Sequence, residues 1–426
     1  MTLARRWLAR VVVVRPEEVR ALLWSFAYFF CLLASYYILR PLRDEMGVAG
    51  GVKNLQWLFT ATFVTMLAAV PCYGALVARL PRRRFIPLVY HFFVANLAVF
   101  WLLLELGVDR QLVARVFFVW ISVFNLFAVS VFWSFMADLY TSEQGKRLYG
   151  FIAAGGSAGA LAGPAITIGL AKLIGVVHLI IVAAALLELA VLCAARLEPK
   201  QEVVQRSLQS LGGGALDGLK MVFRSPYIAG ITLWVALLSV VATFLYFEQA
   251  TIVAATSDDP AVRTRIFATV DLAVGVLTLI VQFLATGKLI QRFGIGPALA
   301  LVPVVFVGGF AVLAATPVLA VVIAFQALQR TANFAISNPA REVLFTVLAR
   351  DEKYKAKNVI DIVAVRGADA VGGWLVTGLR ALGMQARELA VCAIAISAVG
   401  LVLSTALGRA QGRRAIVAAG TRIQGG

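Results

Sequence analysis

Residues 74–84 read Gly74-Ala75-Leu76-Val77-Ala78-Arg79-Leu80-Pro81-Arg82-Arg83-Arg84, and residues 287–294 read Gly287-Lys288-Leu289-Ile290-Gln291-Arg292-Phe293-Gly294. Glycine, leucine and arginine recur at the same relative positions, with Gly294 where Pro81 stands. The two glycines are 213 positions apart, half of the 426-residue chain, and Asn125 and Asn338 share that offset. Each stretch directly follows a long apolar run. A motif that returns at half the chain length, each copy beside apolar runs, predicts two parallel halves of one membrane-embedded architecture.

Composition agrees. The chain is 61% apolar and 14% charged, where a soluble domain is about 45–50% apolar and about 25% charged. That excludes a disordered chain, a collagen-like fibre and a disulfide scaffold. The net charge is +17, but the basic residues are spread along the chain rather than gathered in one arm, which argues against nucleic acid as a partner. Cys31, Cys72, Cys193 and Cys392 each lie in an apolar run and are expected to act as small buried hydrophobes, not as metal ligands or a disulfide framework. Residues 1–20 carry five arginines without a short apolar core and a small-residue cleavage site. They read as a cytoplasmic amphipathic arm, not a signal peptide.

A helix crosses the hydrocarbon core with about 20 apolar residues. That ruler gives twelve spans, near 21–46, 55–78, 86–107, 111–136, 149–172, 176–195, 228–250, 265–288, 297–315, 318–347, 358–380 and 388–407. No stretch alternates like barrel strands, so the expected fold is an all-α polytopic membrane protein of twelve transmembrane helices in two six-helix halves. The segments are an arm at 1–20, halves at 21–195 and 228–407, a cytoplasmic linker at 196–227 and a basic tail at 408–426. With both termini in the cytoplasm, 26 of the 39 Lys and Arg fall on the cytoplasmic side and 10 on the other, which fixes the orientation by the positive-inside rule. Within the linker, residues 216–224 place apolar side chains at helical spacing beside two cations, as in a helix lying on the inner leaflet.

Charges at membrane depth need a partner, a wet cavity or a function, since each costs at least about 2.5–3.5 kcal/mol. In span 10, Gln326, Arg330, Asn333, Ser337 and Arg341 are three or four residues apart and form one stripe. Two arginines on one stripe are more than inter-helix packing requires, so the stripe is expected to line a substrate cavity, with Pro339 freeing a carbonyl nearby. Span 1 ends with Arg40 and Arg43 on one face, followed by Asp44 and Glu45; composition alone favours an interfacial anchor beside Tyr36 and Tyr37. In span 11, Arg366 and Asp369 are one turn apart and read as an ion pair, with Asp361 above them. Glu248 in span 7 and Asp271 in span 8 are either proton-coupling sites or counterions to nearby arginines. Glu188 in span 6 is expected to be protonated or hydrogen-bonded without a role in transport, and His91 and His178 to be structural. Gly155, Gly159 and Gly163 in span 5 form a ridge for close helix contact. No phosphate-binding loop, zinc motif, nucleophile elbow or dinucleotide fingerprint occurs, so neither catalysis nor a cofactor is implied.

The opening motif is similar to the G-x-L-x-D-R-x-G-R-R pattern between helices 2 and 3 of the major facilitator superfamily, with Ala78 in place of the acid and Pro81 in place of the glycine. Four further stretches resemble the nucleotide transporter family, the ATP/ADP translocases. Tyr37-Ile38-Leu39-Arg40, with Arg43 and Asp44, resembles that family's helix 1 ending. Phe132-Trp133-Ser134-Phe135, followed by Glu143, Lys146, Arg147 and Tyr149, resembles its F-W-G-F and E-A-K-R-F-Y segments. Asn338-Pro339-Ala340-Arg341-Glu342 with Phe345 resembles its D-A-T-K-E segment, and Lys357, Ile360, Asp361, Val363 and Arg366 match its K-x-x-I-D-x-V-x-x-R. The resemblance implies that Arg43 and Arg341 stand where the family binds substrate phosphates with lysines. It also places Ile121 and roughly Thr243 where the family has acids, which points to a phosphorylated or otherwise anionic substrate other than strict ATP/ADP.

The expected function is a secondary transporter of the bacterial inner membrane, not an enzyme, moving an anionic, nucleotide-like solute by alternating access. Substrate contacts are assigned to Arg43, Arg330, Asn333, Arg341, Asn338, Arg40 and Arg366. Coupling or gating is assigned to Asp44, Glu248, Asp271, Glu342 and Asp361. The rivals are a proton-coupled symporter for another organic anion and a non-transporting scaffold of the same fold. The expected partners are the solute and membrane lipid, no cofactor or metal is called for, and the chain is read as a monomer.

Overall fold

The computed structural model describes residues 14–79, 82–197, 221–222, 224–349, 352–353, 356–357 and 359–424. Twelve long helices order them, with no strand among the described residues. They are α1 (Val19–Ala49), α2 (Leu55–Arg79), α3 (Arg82–Glu105), α4 (Arg110–Leu139), α5 (Ser142–Leu170) and α6 (Leu179–Ala195). After the linker come α7 (Pro226–Thr256), α8 (Pro260–Phe293), α9 (Ile295–Ala315) and α10 (Leu319–Val347). The last two are α11, a wide turn Val359–Ala364 running on as Val365–Ala381, and α12 (Ala386–Gln424). Ten of the twelve are long and apolar enough to cross a membrane. The exceptions are α6, which is apolar but has only 17 residues, and α11, which carries Asp361, Arg366, Asp369 and Arg380.

Helix starts follow local chemistry. The Asp109 carboxylate accepts from the N–H groups of Gln111 and Leu112 at 2.9 and 3.3 Å and caps α4. Thr141 and Gln144 form a reciprocal capping box at α5. That box starts α5 at residue 142, seven residues before the expected 149. Likewise α8 starts at Pro260, not 265, because Ser257-Asp258-Asp259 precede a proline suited to a first helical turn. At the other end α12 continues to Gln424 through what was expected to be a tail. Most of the expected linker helix at 216–224 lies outside the described residues.

The described chain forms two compact units. The first holds Met1–Gly50, Ala68–Gly212 and Ser257–Leu272; the second holds Gly51–Leu67, Gly213–Thr256 and Ala273–Gly426. The first part of α2 therefore belongs with the later helices, and the first part of α8 with the earlier ones. Gly51, at φ +94°, makes the turn at the first crossing, in a conformation a side chain would resist.

In the first unit α5 packs on α1 through its glycines. A Cβ on Gly155 would sit 2.5 Å from the Phe26 carbonyl, one on Gly159 would collide with the Phe30 carbonyl, and one on Gly163 would lie 2.7 Å from Tyr37 Cβ. The expected small-residue ridge is thus the contact surface between these helices. Buried hydroxyls are spent on helix contacts: Tyr28 donates to Tyr90 at 2.7 Å, Tyr90 to the Ala128 carbonyl at 3.0 Å, and Ser35 to the Ala183 carbonyl at 2.7 Å. Below α1, buried Glu18 accepts from the Arg15 N–H, the Gln144 amide and the Arg147 guanidinium at 2.9–3.3 Å. Burial pushes the Glu18 carboxyl up, but these donors outweigh it and hold its pKa at about 2. Of the four cysteines, Cys31 and Cys193 are buried as expected; Cys72 is exposed and Cys392 half-buried, because in a membrane protein an apolar run has an outward face as well as an inward one.

In the second unit α9 and α12 meet at Gly296 and Gly408, where a Cβ on Gly408 would lie 2.5 Å from Gly296 Cα. Trp234 on α7 donates to Ser404 on α12 at 2.8 Å, and Tyr227 donates to the Leu344 carbonyl at 2.9 Å. Three helices widen into π turns, at Gln282–Thr286 in α8, Asn333–Ser337 in α10 and Val359–Ala364 in α11. Pro339 has no N–H for the Ala335 carbonyl four residues before it. Thr286, in the wide turn of α8, donates to that carbonyl at 2.8 Å, so the two wide turns are stitched together by the bond the proline leaves open.

Candidate charged sites in the two units

In the first unit the end of α1 meets the start of α8 in a cluster of six charged side chains. Arg43 donates through Nε and Nη2 to Asp44 Oδ1 at 3.0 and 2.6 Å, and its guanidinium lies 5.0 Å from the centre of the Phe118 ring. Arg40 Nη1 is 3.7 Å from Asp271 Oδ1, and its guanidinium lies 5.8 Å from the Tyr37 ring centre. Arg263 Nη2 donates to Glu45 Oε1 at 2.8 Å, with Glu45 1% exposed. Glu45 Oε2 and Arg263 Nε are buried without a hydrogen-bond partner. Asp44 and Asp271 are buried too. Arg40 is therefore part of a buried ion-pair cluster, where composition alone favoured a snorkelling anchor.

In the second unit the stripe of α10 turns inward as expected. Gln326 and Ser337 are buried and Arg330, Asn333 and Arg341 half-buried, while Leu328 and Phe334 on the same helix are exposed. Gln326 donates to Gln249 on α7 at 2.8 Å. The Arg330 guanidinium lies 5.9 Å from the Phe334 ring centre. Arg341 Nη2 is 3.2 Å from Asp361 Oδ1 on α11, with Arg341 Nε buried and unpartnered. The Ser337 hydroxyl, one turn earlier, is fully buried and also unpartnered. Asn338 is half-buried beside it. Glu342 accepts from Lys357 Nζ at 2.7 and 2.9 Å, which ties α10 to the chain just before α11.

The other assigned charges are paired. Arg366 Nη1 donates to Asp369 at 3.3 Å, as the one-turn spacing predicts. Glu248 accepts from Arg380 Nη2 on α11 at 2.7 Å. Glu188 is hydrogen-bonded to His91 at 2.9 Å. Ile121 is fully buried in the first unit's core, and the Thr243 hydroxyl donates to the Ser239 carbonyl at 2.9 Å. Neither position offers the acid that the resemblance would place there. No cluster of three or more metal-ligating side chains occurs among the described residues.

Glu45, Arg263 and Arg380 are partners that were not expected from the sequence. For Arg263 the signal was present: acidic residues before Pro260 start α8 early and carry Arg263 into its first turn.

The sequence profile of the Major Facilitator Superfamily matches residues 21–354. The chain belongs to the Major Facilitator Superfamily. Among solved structures, those of three transporters resemble it. The nucleoside transporter NupG has a TM-score of 0.65 at 14% identity, covering 93% of this chain and 99% of NupG. A bacterial homologue of the iron transporter ferroportin, in an inward-facing state, has a TM-score of 0.66 at 13% identity, covering 93% and 100%. The POT family transporter PepTSo has a TM-score of 0.63 at 13% identity, covering 92% and 99%. At these identities the likeness is one of fold. No curated protein matches the chain. Superfamily membership makes the chain a multi-pass membrane transporter rather than an enzyme, and the all-helical architecture is that of the superfamily.

Proposed function

We propose that this transporter moves an anionic, phosphorylated, nucleotide-like solute across the bacterial inner membrane by alternating access, with both termini in the cytoplasm. The observation that carries this reading is Arg341 on the inward stripe of α10. Its Nη2 is held by one carboxylate, Asp361, and its Nε is buried without a partner. An arginine fork of this kind suits a phosphate, which offers two oxygens to parallel N–H groups. Asp361 is 43% exposed, so it neutralises the resting arginine yet gives way to an incoming anion. Arg330, Asn333 and Asn338 add donors along the same helix. Arg43 in the first unit is also held by one carboxylate, Asp44, which takes both its Nε and its Nη2. The resemblance of both segments to the nucleotide transporter family supports a nucleotide-like substrate.

Uptake of labelled nucleotides into vesicles tests this, with and without unlabelled nucleotide inside. Counterflow is expected, and its absence with every nucleotide overturns the reading. Loss of a charge-assisted contact costs about 1.5–3 kcal/mol, so Arg341→Ala should raise KM by about 10- to 100-fold with protein still in the membrane. Asp361→Asn, which frees the arginine, should lower KM. Wild-type kinetics in Arg341→Ala would remove that residue from the site.

A further inference from the structure

The protein has two histidines, and both pair with glutamates between α3 and α6. His91 Nδ1 on α3 lies 2.9 Å from Glu188 Oε1 on α6, and His178 Nε2 at the start of α6 lies 3.5 Å from Glu105 Oε1 at the end of α3. The first pair sits at depth: Glu188 is seven residues from the end of α6, about 10 Å along the axis. It also faces outward, with the His91 and Glu188 side chains 54% and 40% exposed. The surface around it is apolar. Leu88 and Phe92 on α3, and Leu189 and Leu192 on α6, are all exposed. This face meets lipid, and lipid has no partner for the two polar atoms left over. Those atoms are His91 Nε2 and Glu188 Oε2, which make no hydrogen bond among the described residues.

For a pair that is neutral overall, the leftover pattern is the same wherever the shared proton sits. With an imidazolium beside a carboxylate, Nδ1–H donates to Oε1. With a neutral imidazole beside a carboxylic acid, the acid donates to Nδ1. Either way the pair presents one outward donor, Nε2–H, and one outward acceptor, Oε2. A surface with one donor and one acceptor at one depth complements itself about a two-fold axis along the membrane normal. The exposed small residues Ala95 on α3 and Ala185 on α6 lie about one turn from the pair, both toward the end where Glu105 meets His178. They let a second pair of helices approach closely.

We propose that the α3–α6 face is an interface between two copies of this chain, closed by reciprocal Nε2–H to Oε2 hydrogen bonds between His91 and Glu188 of each copy. The test is photobleaching-step counting of labelled protein at low density in vesicles of phosphatidylethanolamine and phosphatidylglycerol. Wild-type protein is expected to be dimeric. The double variant His91→Leu/Glu188→Leu removes both polar pairs and should need at least about tenfold higher surface density to dimerise. Ala185→Trp, an outward change that leaves the fold alone, should block close approach and give monomers. A monomeric wild type overturns the proposal, as does dimerisation that both variants leave unchanged.

Discussion

Glu45 and Arg263 show what a single buried pair does in this protein. Each ion left water, and their mutual hydrogen bond at 2.8 Å, with that of Arg263 Nη1 to the Ser257 carbonyl at 3.2 Å, offsets that. Removing one partner strands the other in a nearly dry site, at about 3–5 kcal/mol, while removing both leaves neither ion stranded. Arg263→Met should therefore lower the thermal stability of the purified protein sharply, and Glu45→Leu/Arg263→Met should recover most of the loss. Equal destabilisation by the single and double variants would show that the pair is not the source. At this scale the sequence was half legible. It showed that charges such as Arg330 and Arg341 lie within an apolar run. It did not show who pairs with whom: Arg40 with Asp271, Glu45 with Arg263 and Glu248 with Arg380 are all remote in sequence. Arg366 with Asp369 could be read because helical spacing makes that contact local.

Among the elements, the α1–α5 contact is the one most open to a decisive substitution. The glycine ridge was visible as small residues four apart, and the structure supplies its counterpart, the backbone of α1 from Phe26 to Tyr37. A side chain at Gly159 meets the Phe30 carbonyl and the Ala34 N–H, neither of which can move without the helix. Gly159→Leu should cost at least about 1–3 kcal/mol as overpacking, read as a fall in melting temperature. Gly169→Leu, on the same helix with nothing within 4 Å of its Cβ position, should be neutral; equal losses at both positions would rule out the ridge. The stripe of α10 was also legible, since its spacing holds through the first two turns. The wide turn at Asn333–Ser337 was not, because a π turn leaves no periodic trace in side-chain type. Pro339 marked the spot, but the hydroxyl that answers it comes from Thr286, 49 residues away from the carbonyl it serves.

For the molecule as a whole, the distribution of cations carries an expectation about both ends at once. Site-specific labelling of cysteines added at residues 14 and 416 should occur only in inverted vesicles, not in intact cells. Labelling of either from outside would overturn the orientation. The repeat at half the chain length announced two halves, and the superfamily match confirms the architecture to which such a duplication belongs. Where chain-order halves and compact units diverge, the reason is physical: α2 and α8 are long helices, and each contributes one end to one unit and the other end to the other. Hydropathy reports that a helix is long and apolar, but not that its neighbours change along its length.

That exchange also sets a timetable. The first unit is finished only when Leu272 has been made, well after its six early helices have left the ribosome. Glu45 waits 218 positions for Arg263, which at about 5–20 residues per second is about 10–40 seconds of translation. During that interval Asp44 already has Arg43 beside it, but Glu45 lacks its partner, and its safest place is the aqueous side of the bilayer. The last step in building the early unit is thus an electrostatic one, taken when the start of α8 arrives and draws those charges out of water.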